Sequence, residues 1–286
     1  MIITSEKSLD EFINNSLLED VGDGDHSSLA CIPKNAKGSA KLVIKEKGIF
    51  AGIEIARRIF HKVDESIIFN PYINDGDKIK AGDIAFTVEG TVLSILMAER
   101  LVLNVIQRMS GIATETHKHV RKIKDLNTKI LDTRKTTPGL RMLEKAAVKI
   151  GGGKNHRMGL YDMILLKDNH IDFAGGIEKA IDATNQYLKK HNKTLKIEIE
   201  ARTIEDVRRI IEHGKVDIIL LDNFSVKDTA KAVKLIDKKF QVESSGGITL
   251  KTLRKYAKCG VDFVSIGALT HQIKSLDMSL KAVIKK

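Results

Sequence analysis

Ionisable or glycine residues stand at the ends of six short apolar segments after Gly111. In chain order these residues are Asp132-Thr133-Arg134-Lys135-Thr136, Lys167-Asp168-Asn169-His170, Glu198-Ile199-Glu200, Asp222-Asn223, Glu243-Ser244-Ser245-Gly246-Gly247 and Gly267-Ala268. Parallel α/β proteins place their chemistry at the carboxyl ends of the strands, where the loops gather. The pattern therefore predicts an active site built from these residues.

The basic members of the set are suited to an anionic ligand. Arg134, Lys135 and Lys167 each follow an apolar segment, and His156-Arg157 comes shortly after Gly151-Gly152-Gly153. An arginine can bind a carboxylate or a phosphate through two parallel hydrogen bonds. We expect a concentrated positive pocket. Taken singly, His156 is more readily explained as an ordinary loop histidine, and Lys167 as a solvated lysine.

The acidic members are suited to a metal ion. Glu200 and Asp222 end neighbouring predicted strands, and Mg²⁺ prefers hard carboxylate oxygens and bridges to substrate oxygens. Strand alternation points Glu198 and Glu200 into the predicted barrel, where charges need partners or ligands. A structural alternative is that Glu200 and Asp222 form ion pairs with Arg134 or Lys167.

Small residues after the fifth segment could bind phosphate. Ser245-Gly246-Gly247 precedes a predicted helix that starts near Thr249-Leu250, so backbone N–H groups and the helix N-terminus could approach an anion. Glycine pairs are more often simple turns. Gly267 at the next strand end strengthens the phosphate interpretation.

The elements that would position these residues change character near Ser110-Gly111. Before this point, the sequence predicts a strand over 41–44, an amphipathic helix over 53–63, turns at Asp75-Gly76 and Ala81-Gly82-Asp83, and helix over 92–109 that ends at Gly111. Afterwards, strands alternate with helices, which requires right-handed crossovers and a parallel sheet. The predicted strands are 129–131, 163–166, 196–199, 217–221, 241–242 and 263–266. They indicate an α/β fold with a sheet or an incomplete barrel.

Composition limits the classes of protein. The 286 residues are 42% hydrophobic, so we expect a large hydrophobic core. The chain has only two cysteines, Cys31 and Cys259, so we expect no disulfide framework and a cytoplasmic protein. Neither a signal sequence nor a membrane span is expected. The net charge of +11 could favour nucleic acid, but the lysines are mixed with acidic residues and aromatics make up only 5%. We expect a solvated basic surface or a site for a small polyanion.

Read together, these segments resemble the quinolinate phosphoribosyltransferase family, also called carboxylating nicotinate-nucleotide pyrophosphorylases. The resemblance spans nearly the whole chain. The segments that carry it are Leu18-Glu19-Asp20 with Gly22, Gly24 and Asp25; Ala98-Glu99-Arg100 with Leu103-Asn104; Arg108 with Ser110-Gly111-Ile112-Ala113-Thr114; residues 132–141; Gly151-Gly152-Gly153; Asn155-His156-Arg157; Gly159-Leu160; residues 167–170; residues 220–224; and residues 243–248.

The resemblance implies a two-domain fold. An N-terminal α/β sandwich would cover 1–110, an open α/β barrel of parallel strands 111–270, and a C-terminal tail over 271–286 would return to the sandwich. It also implies a homodimer or larger assembly whose active site takes Arg100 from the partner subunit.

The implied reaction joins quinolinate and phosphoribosyl pyrophosphate to give nicotinate mononucleotide, pyrophosphate and CO₂ with Mg²⁺, as a step of NAD biosynthesis. By the resemblance, the partner's Arg100 would surround the quinolinate carboxylates together with Arg134, Lys135, His156, Arg157 and Lys167. Glu200 and Asp222 would hold Mg²⁺ and the ribose hydroxyls, and Thr133 would also contact substrate. Ser245, Gly246, Gly247, Gly267 and His271 would meet phosphate groups. The catalytic residues would be Lys135, Lys167, Glu200 and Asp222.

Three alternatives remain at this point. One is the pyrophosphorylase-like paralogue found with molybdenum-transport genes, and another is an enzyme that uses nicotinate itself. The full cationic set favours a dicarboxylate substrate. A third alternative, a protein that binds nucleic acid or another polyanion, would explain the net charge but not Glu200 and Asp222.

Overall fold

A computed structural model of the chain describes residues 6–283, so residues 1–5 of the predicted first domain and residues 284–286 of the predicted tail lie outside it. The elements of the first part are α1 (Glu6–Val21), α2 (His26–Cys31), β1 (Lys37–Ile44), β2 (Gly48–Ile49), α3 (Ile53–Val63), β3 (Ile68–Pro71), β4 (Lys78–Ile79), β5 (Ile84–Thr91) and α4 (Val92–Lys122). Those that follow are β6 (Lys129–Leu131), α5 (Arg141–Ile150), β7 (Ile164–Leu166), α6 (Asp168–Ala174), α7 (Ile177–Lys190), β8 (Ile197–Ala201), α8 (Ile204–His213), β9 (Ile218–Asp222), α9 (Val226–Ile236), β10 (Gln241–Ser245), α10 (Leu253–Ala257), β11 (Phe263–Ser265), α11 (Ala268–His271) and β12 (Met278–Ala282).

The chain forms two compact units. Within the described residues, the first unit comprises 6–117, 136–152 and 269–283, and the second comprises 118–135 and 153–268. Residues 136–152, which carry α5, therefore belong to the first unit although β6 and β7 belong to the second. No helix over residues 6–283 combines the length and the apolar character needed to cross a bilayer.

The first unit is built on an antiparallel sheet in the order β12-β1-β5-β3. Its C-terminal strand pairs with β1 from Ala40 opposite Ala282 to Ile44 opposite Met278, so the end of the chain adds a strand to this sheet. The amphipathic helix α3 has the predicted bounds and buries Phe60. The ring of Phe60 lies 6.1 Å from those of Phe69 and Phe86, forming an aromatic core.

Helix α4 differs from the prediction. It runs for 31 residues through Gly111 to Lys122, whereas a helix ending at Gly111 was expected. The glycine serves packing instead of termination, because a Cβ at Gly111 would collide with the backbone carbonyl of Lys274. A glycine in a helix interior is tolerated where another backbone approaches this closely.

The second unit contains six parallel strands in the order β6-β11-β10-β9-β8-β7. Within the described residues, β6 and β7 are the sheet's edges, and β6 gains only an isolated bridge from Leu131 to Lys154. Apolar residues such as Ile199, Ile219 and Leu221 are fully buried in this sheet. The predicted α/β fold, with a parallel sheet and a separate antiparallel sheet, is confirmed.

Two local boundaries differ from the prediction. Strand β10 extends to Ser245 instead of ending at Val242, because β9 and β11 supply backbone partners to a polar segment. The following helix begins at Leu253, not near Thr249. Thr249 donates its N–H to Oγ1 of Thr252 at 3.0 Å, which favours a turn before the helix.

Candidate active site

The carboxyl ends of the parallel strands in the second unit lie at one edge of the sheet, because every pair in it is parallel. This edge brings together most of the predicted site residues. They are Thr133, Arg134 and Lys135 after β6, His156 and Arg157 before β7, Lys167 after β7, Glu200 in β8, Asp222 ending β9, Ser245, Gly246 and Gly247 at the end of β10, and Gly267 after β11.

Two predicted residues belong to the first unit. Arg100 is exposed on α4, and His271 is exposed at the end of α11. Their roles remain predictions that rest on the resemblance.

Two arginines concentrate positive charge at the site. The Arg157 side chain is largely buried, and its Nη1 donates to the carbonyl of Met163 at 3.1 Å. Burial lowers the pKa of Arg157, and the nearby positive charge of Arg134 lowers it further. Because like charges repel, a pair of guanidinium groups held together favours binding of an anion between or beside them.

Lys167 and Glu200 join the positive and negative parts of the site. Lys167 occupies the N-cap position of α6, and its Nζ lies 3.8 Å from Oε1 of Glu200. Oε2 of Glu200 accepts a hydrogen bond from the backbone N–H of Asp168 at 3.0 Å. The end of β7 thus holds the end of β8 through this carboxylate.

The carboxylates at the ends of β8 and β9 suit a divalent cation. Burial raises the pKa of Glu200, and the negative charge of Asp222 acts in the same direction. Oδ2 of Asp222 accepts from the side-chain amide of Asn223 at 2.8 Å. A cation beside Glu200 and Asp222 would relieve their repulsion, and their oxygens are the ligand type that Mg²⁺ prefers. The residues present therefore fit the metal that the sequence predicts.

The end of β10 brings backbone close to the site. Gly246 and Gly247 have φ angles of +95° and +61°. A Cβ on Gly246 would collide with the side chain of Asn223, whose backbone N–H donates to the carbonyl of Ser245 at 2.9 Å. Only glycine fits position 246, because both the backbone conformation and the space exclude a side chain.

His156 is held by contacts on three sides. Its backbone N–H donates to Oδ1 of Asp132 at 2.8 Å, and its Nδ1 accepts from the backbone N–H of Arg157 at 2.7 Å. Its Nε2 lies 2.9 Å from Oε2 of Glu198 and 3.6 Å from Oε2 of Glu243. The ring therefore lies between the Arg157 backbone and two buried carboxylates.

Glu198 and Glu243 were not predicted as site residues. The strand alternation that points Glu198 inward was visible in the sequence, and Glu243 sits two residues before Ser245 on the same face of β10. That alternation was the available signal. It could not show that both side chains meet the same histidine, because β9 separates their strands and His156 comes from a loop.

Comparisons with known proteins agree with this arrangement. The family models for the N-terminal and C-terminal domains of quinolinate phosphoribosyl transferase match residues 25–110 and 112–281. The chain is 45% identical to quinolinate phosphoribosyltransferase [decarboxylating] 2, mitochondrial, of Nicotiana glauca, covering 96% of this chain and 82% of the relative. It is 42% identical to a probable nicotinate-nucleotide pyrophosphorylase [carboxylating] of Bacillus subtilis, covering 96% and 94%.

Solved structures show the same fold. NadC from Streptococcus pyogenes superposes with a TM-score of 0.91 at 37% identity, covering 98% of this chain and 99% of that one. The nicotinate-nucleotide pyrophosphorylase from Francisella tularensis superposes with a TM-score of 0.88 at 37% identity, covering 98% of both chains. With both family models matched along the chain and the predicted basic and acidic residues at one sheet edge, this chain belongs to the quinolinate phosphoribosyltransferase family.

Proposed function

We infer that this chain transfers the phosphoribosyl group of phosphoribosyl pyrophosphate to the ring nitrogen of quinolinate, with loss of CO₂, in NAD biosynthesis. The products are nicotinate mononucleotide, pyrophosphate and CO₂. The observation that carries the inference is the proximity of the Arg134 and Arg157 guanidinium groups at a sheet edge that also presents Glu200 and Asp222. This combination suits an anionic base and a pentose phosphate in the family to which the chain belongs.

Quinolinate carries two adjacent carboxylates, and the basic residues supply the complementary charge. Arg134 and Arg157 bind carboxylates in the planar, two-bond geometry available to guanidinium groups, and Lys135 and Lys167 add point charges. His156 belongs to the same lining. The burial of Arg157 strengthens its attraction for an anion relative to bulk water.

The acidic pair serves the pentose. Glu200 and Asp222 accept hydrogen bonds from the ribose hydroxyls and would hold Mg²⁺, which would supply positive charge to the oxygens of the leaving pyrophosphate. Thr133, Ser245, Gly246, Gly247 and Gly267 contact the substrate, with backbone N–H groups of the glycine segment turned to phosphate oxygens. His271 is proposed for the same phosphate role on the resemblance alone.

The chemistry needs no covalent nucleophile. As pyrophosphate leaves, positive charge develops on the ribose ring, and the carboxylates of Glu200 and Asp222 stabilise it. After the new C–N bond forms, the positively charged pyridine ring stabilises the carbanion that CO₂ leaves behind, and a proton from solvent takes the place of CO₂ on that carbon. Lys135 and Lys167 therefore position the substrate and neutralise departing charge.

Two further properties follow from the resemblance. We propose a homodimer or larger assembly in which Arg100 of one subunit completes the site of another. We also propose a cytoplasmic location, which the low cysteine content supports.

Product analysis tests the reaction. Purified protein is incubated with Mg²⁺, phosphoribosyl pyrophosphate and carboxyl-labelled quinolinate or nicotinate, with a control that lacks the metal. The expected result is labelled CO₂ together with nicotinate mononucleotide, from quinolinate alone and only with the metal. No turnover of quinolinate would overturn the assignment of the substrate.

A binding measurement separates quinolinate from nicotinate without catalysis. If the guanidinium groups and Lys167 bind two carboxylates, quinolinate protects the protein against thermal unfolding far better than nicotinate does. Equal protection by both acids would favour an enzyme specific for a monocarboxylate. Salt-dependent binding to DNA or RNA in a filter assay would instead favour a polyanion-binding protein.

A further inference from the structure

Two glutamates lie inside the parallel sheet beneath the proposed quinolinate site. Glu198 is 0% exposed on β8 and Glu243 is 1% exposed on β10, with β9 between them. A buried carboxylate is costly unless a partner compensates its charge. Burial raises the pKa of both groups, and the negative charge of Glu198 raises that of Glu243 further.

The compensating contact comes from the His156 ring. Nε2 lies within 2.9 Å of Glu198 and 3.6 Å of Glu243, while the histidine side chain is only 8% exposed. Neither oxygen of Glu198 receives a well-aligned hydrogen bond from the described residues, and the polar side chains that face this carboxyl group are the His156 ring and Glu243. The two buried carboxyl groups line a recess that faces Nε2 of the ring.

The other ring nitrogen determines the proton's position. Nδ1 accepts a hydrogen bond from the backbone N–H of Arg157 at 2.7 Å, so it carries a lone pair. The neutral ring then has its proton on Nε2, directed toward Glu198 and Glu243. These three side chains are close enough to bind a metal ion, but a protonated Nε2 has no lone pair to offer one. The cluster is built to hold the ring.

The ring in turn holds Arg157. Its Nδ1 fixes the Arg157 backbone, and the guanidinium has a second attachment where Nη1 donates to the carbonyl of Met163. Asp132 fixes the His156 backbone from the opposite side. If the ring rotated, the amide of Arg157 would lose its acceptor and the guanidinium would shift.

We propose that Glu198 and Glu243 are positioning residues, whose carboxylates hold Nε2 of His156 and thereby place Arg157 for a carboxylate of quinolinate. The inference rests on the proposed role of Arg157 in binding quinolinate, and it assigns His156 a supporting role through Arg157. The chain of contacts runs from the sheet interior to the substrate: carboxylates, imidazole, backbone amide and guanidinium.

Steady-state kinetics of four variants test the proposal. Glu198→Ala and Glu243→Ala remove one carboxylate each, whereas Glu198→Gln and Glu243→Gln keep an oxygen acceptor of the same shape. We expect each alanine variant to raise KM for quinolinate at least about tenfold, because small misplacements of binding groups have large kinetic effects. KM for phosphoribosyl pyrophosphate should change less than about twofold, and the glutamine variants should recover most of the loss.

Two controls separate positioning from stability and from the role of Arg157. Ile219→Ala makes a cavity in the same sheet at a fully buried residue of β9, and it should lower the unfolding temperature without changing the ratio of the two KM values. Arg157→Lys should raise KM for quinolinate. If Arg157→Lys has no effect, the role of Arg157 is wrong. The positioning proposal is overturned if Arg157→Lys raises KM for quinolinate but the alanine variants do not. It is also overturned if the alanine variants raise KM for quinolinate and KM for phosphoribosyl pyrophosphate equally.

A spectroscopic measurement on the unmodified protein needs no variant to be active. NMR of protein labelled with ¹⁵N at histidine reports which ring nitrogen carries the proton. The signals that are missing from the spectrum of His156→Asn are those of His156. We expect a protonated Nε2 and an unprotonated Nδ1 for His156. A proton on Nδ1 would contradict the contact with Arg157 and overturn the proposal.

Discussion

Nζ of Lys167 lies 3.8 Å from Oε1 of Glu200, so one ion pair joins the basic and acidic parts of the site. The lysine side chain is 49% exposed and the glutamate 11%, which means that the pair sits at the boundary between solvent and the sheet interior. A half-exposed lysine held next to a largely buried carboxylate is accessible to a ligand. We therefore expect the pair to serve binding more than folding.

Replacing Lys167 should therefore cost activity more than stability. We expect Lys167→Ala to lower kcat/KM for quinolinate at least about a hundredfold, since it removes a charge aimed at substrate. The lost ion pair should cost under about 1 kcal/mol of unfolding free energy, because solvent screens it. Lys135→Ala should behave alike. Steady-state kinetics and thermal unfolding measure activity and stability for both variants. Lys196→Ala, at the opposite end of β8, is the control and should change neither activity nor stability. Unchanged turnover in Lys167→Ala would refute the role of Lys167.

The metal should depend on the carboxylates at the ends of β8 and β9. Asp222→Asn should raise the Mg²⁺ concentration for half-maximal activity at least about tenfold, as loss of a carboxylate weakens a hard-cation site. Titration with Mn²⁺ followed by electron paramagnetic resonance, in the presence of phosphoribosyl pyrophosphate, should show the same loss of affinity. Asp228→Asn on α9 is the matched control, since Asp228 bonds to Ser225 at the helix start. Full activity with excess chelator would exclude a required metal.

A shared active site can be detected by mixing inactive variants. The Arg100→Ala and Lys167→Ala chains are co-expressed so that hybrid dimers form. The mixture of dimers should recover up to about a quarter of the wild-type activity. Half of randomly assembled dimers are hybrids, and each hybrid contains one site with both native residues. Each variant assembled alone should stay inactive. Hybrids verified by mass but lacking activity would show that Arg100 acts within its own subunit.

The phosphate-binding role of the β10 end predicts a selective defect in Gly246→Ala. The added Cβ meets Asn223 and forces the backbone from its positive φ, so we expect KM for phosphoribosyl pyrophosphate to rise at least about tenfold. Gly214→Ala is the matched control, because Gly214 also has positive φ, +69°, but nothing within 4 Å of a Cβ. Gly214→Ala should lose stability but keep the KM values for quinolinate and phosphoribosyl pyrophosphate. A selective rise in KM for quinolinate in Gly246→Ala would instead place the carboxylate site here.

An ion pair between α7 and α8 should make stability depend on pH. Arg209 donates two hydrogen bonds to Glu178 and lowers the pKa of that carboxyl from 4.5 to about 2. A carboxyl group whose pKa is lower in the folded than in the unfolded chain stabilises the fold at any pH above its unfolded-state pKa. This contribution disappears as pH falls from about 4.5 to about 2. Glu178→Gln should thus cost under about 1 kcal/mol at pH 7, since the pair is partly exposed, and nothing below pH 2. Chemical denaturation at both pH values measures the difference; an equal cost at both would contradict the assignment.

The positions of most strands of the parallel sheet along the chain, and the types of residue at their carboxyl ends, can be read from the amino-acid sequence. Alternation of short apolar segments with helical ones is a local signal, and it located β6, β7, β8, β9 and β11 to within a few residues. The same pattern pointed to Arg134, Lys167, Glu200 and Asp222 as candidate site residues, because charged residues at the ends of apolar segments are visible without knowing their neighbours.

Strand and helix boundaries and side-chain contacts that depend on residues distant in the sequence appear only in the folded chain. Strand β10 continues through Glu243-Ser244-Ser245 because two neighbouring strands satisfy its backbone, although no apolar pattern marks it. Helix α4 passes Gly111 because another backbone packs there. The contact between His156 and Glu198 joins a loop to a strand 42 positions later in the chain, and only folding brings the ring and the carboxylate within 2.9 Å. Hydrogen bonds and charge contacts of this kind depend on three-dimensional distance, which local residue spacing does not encode.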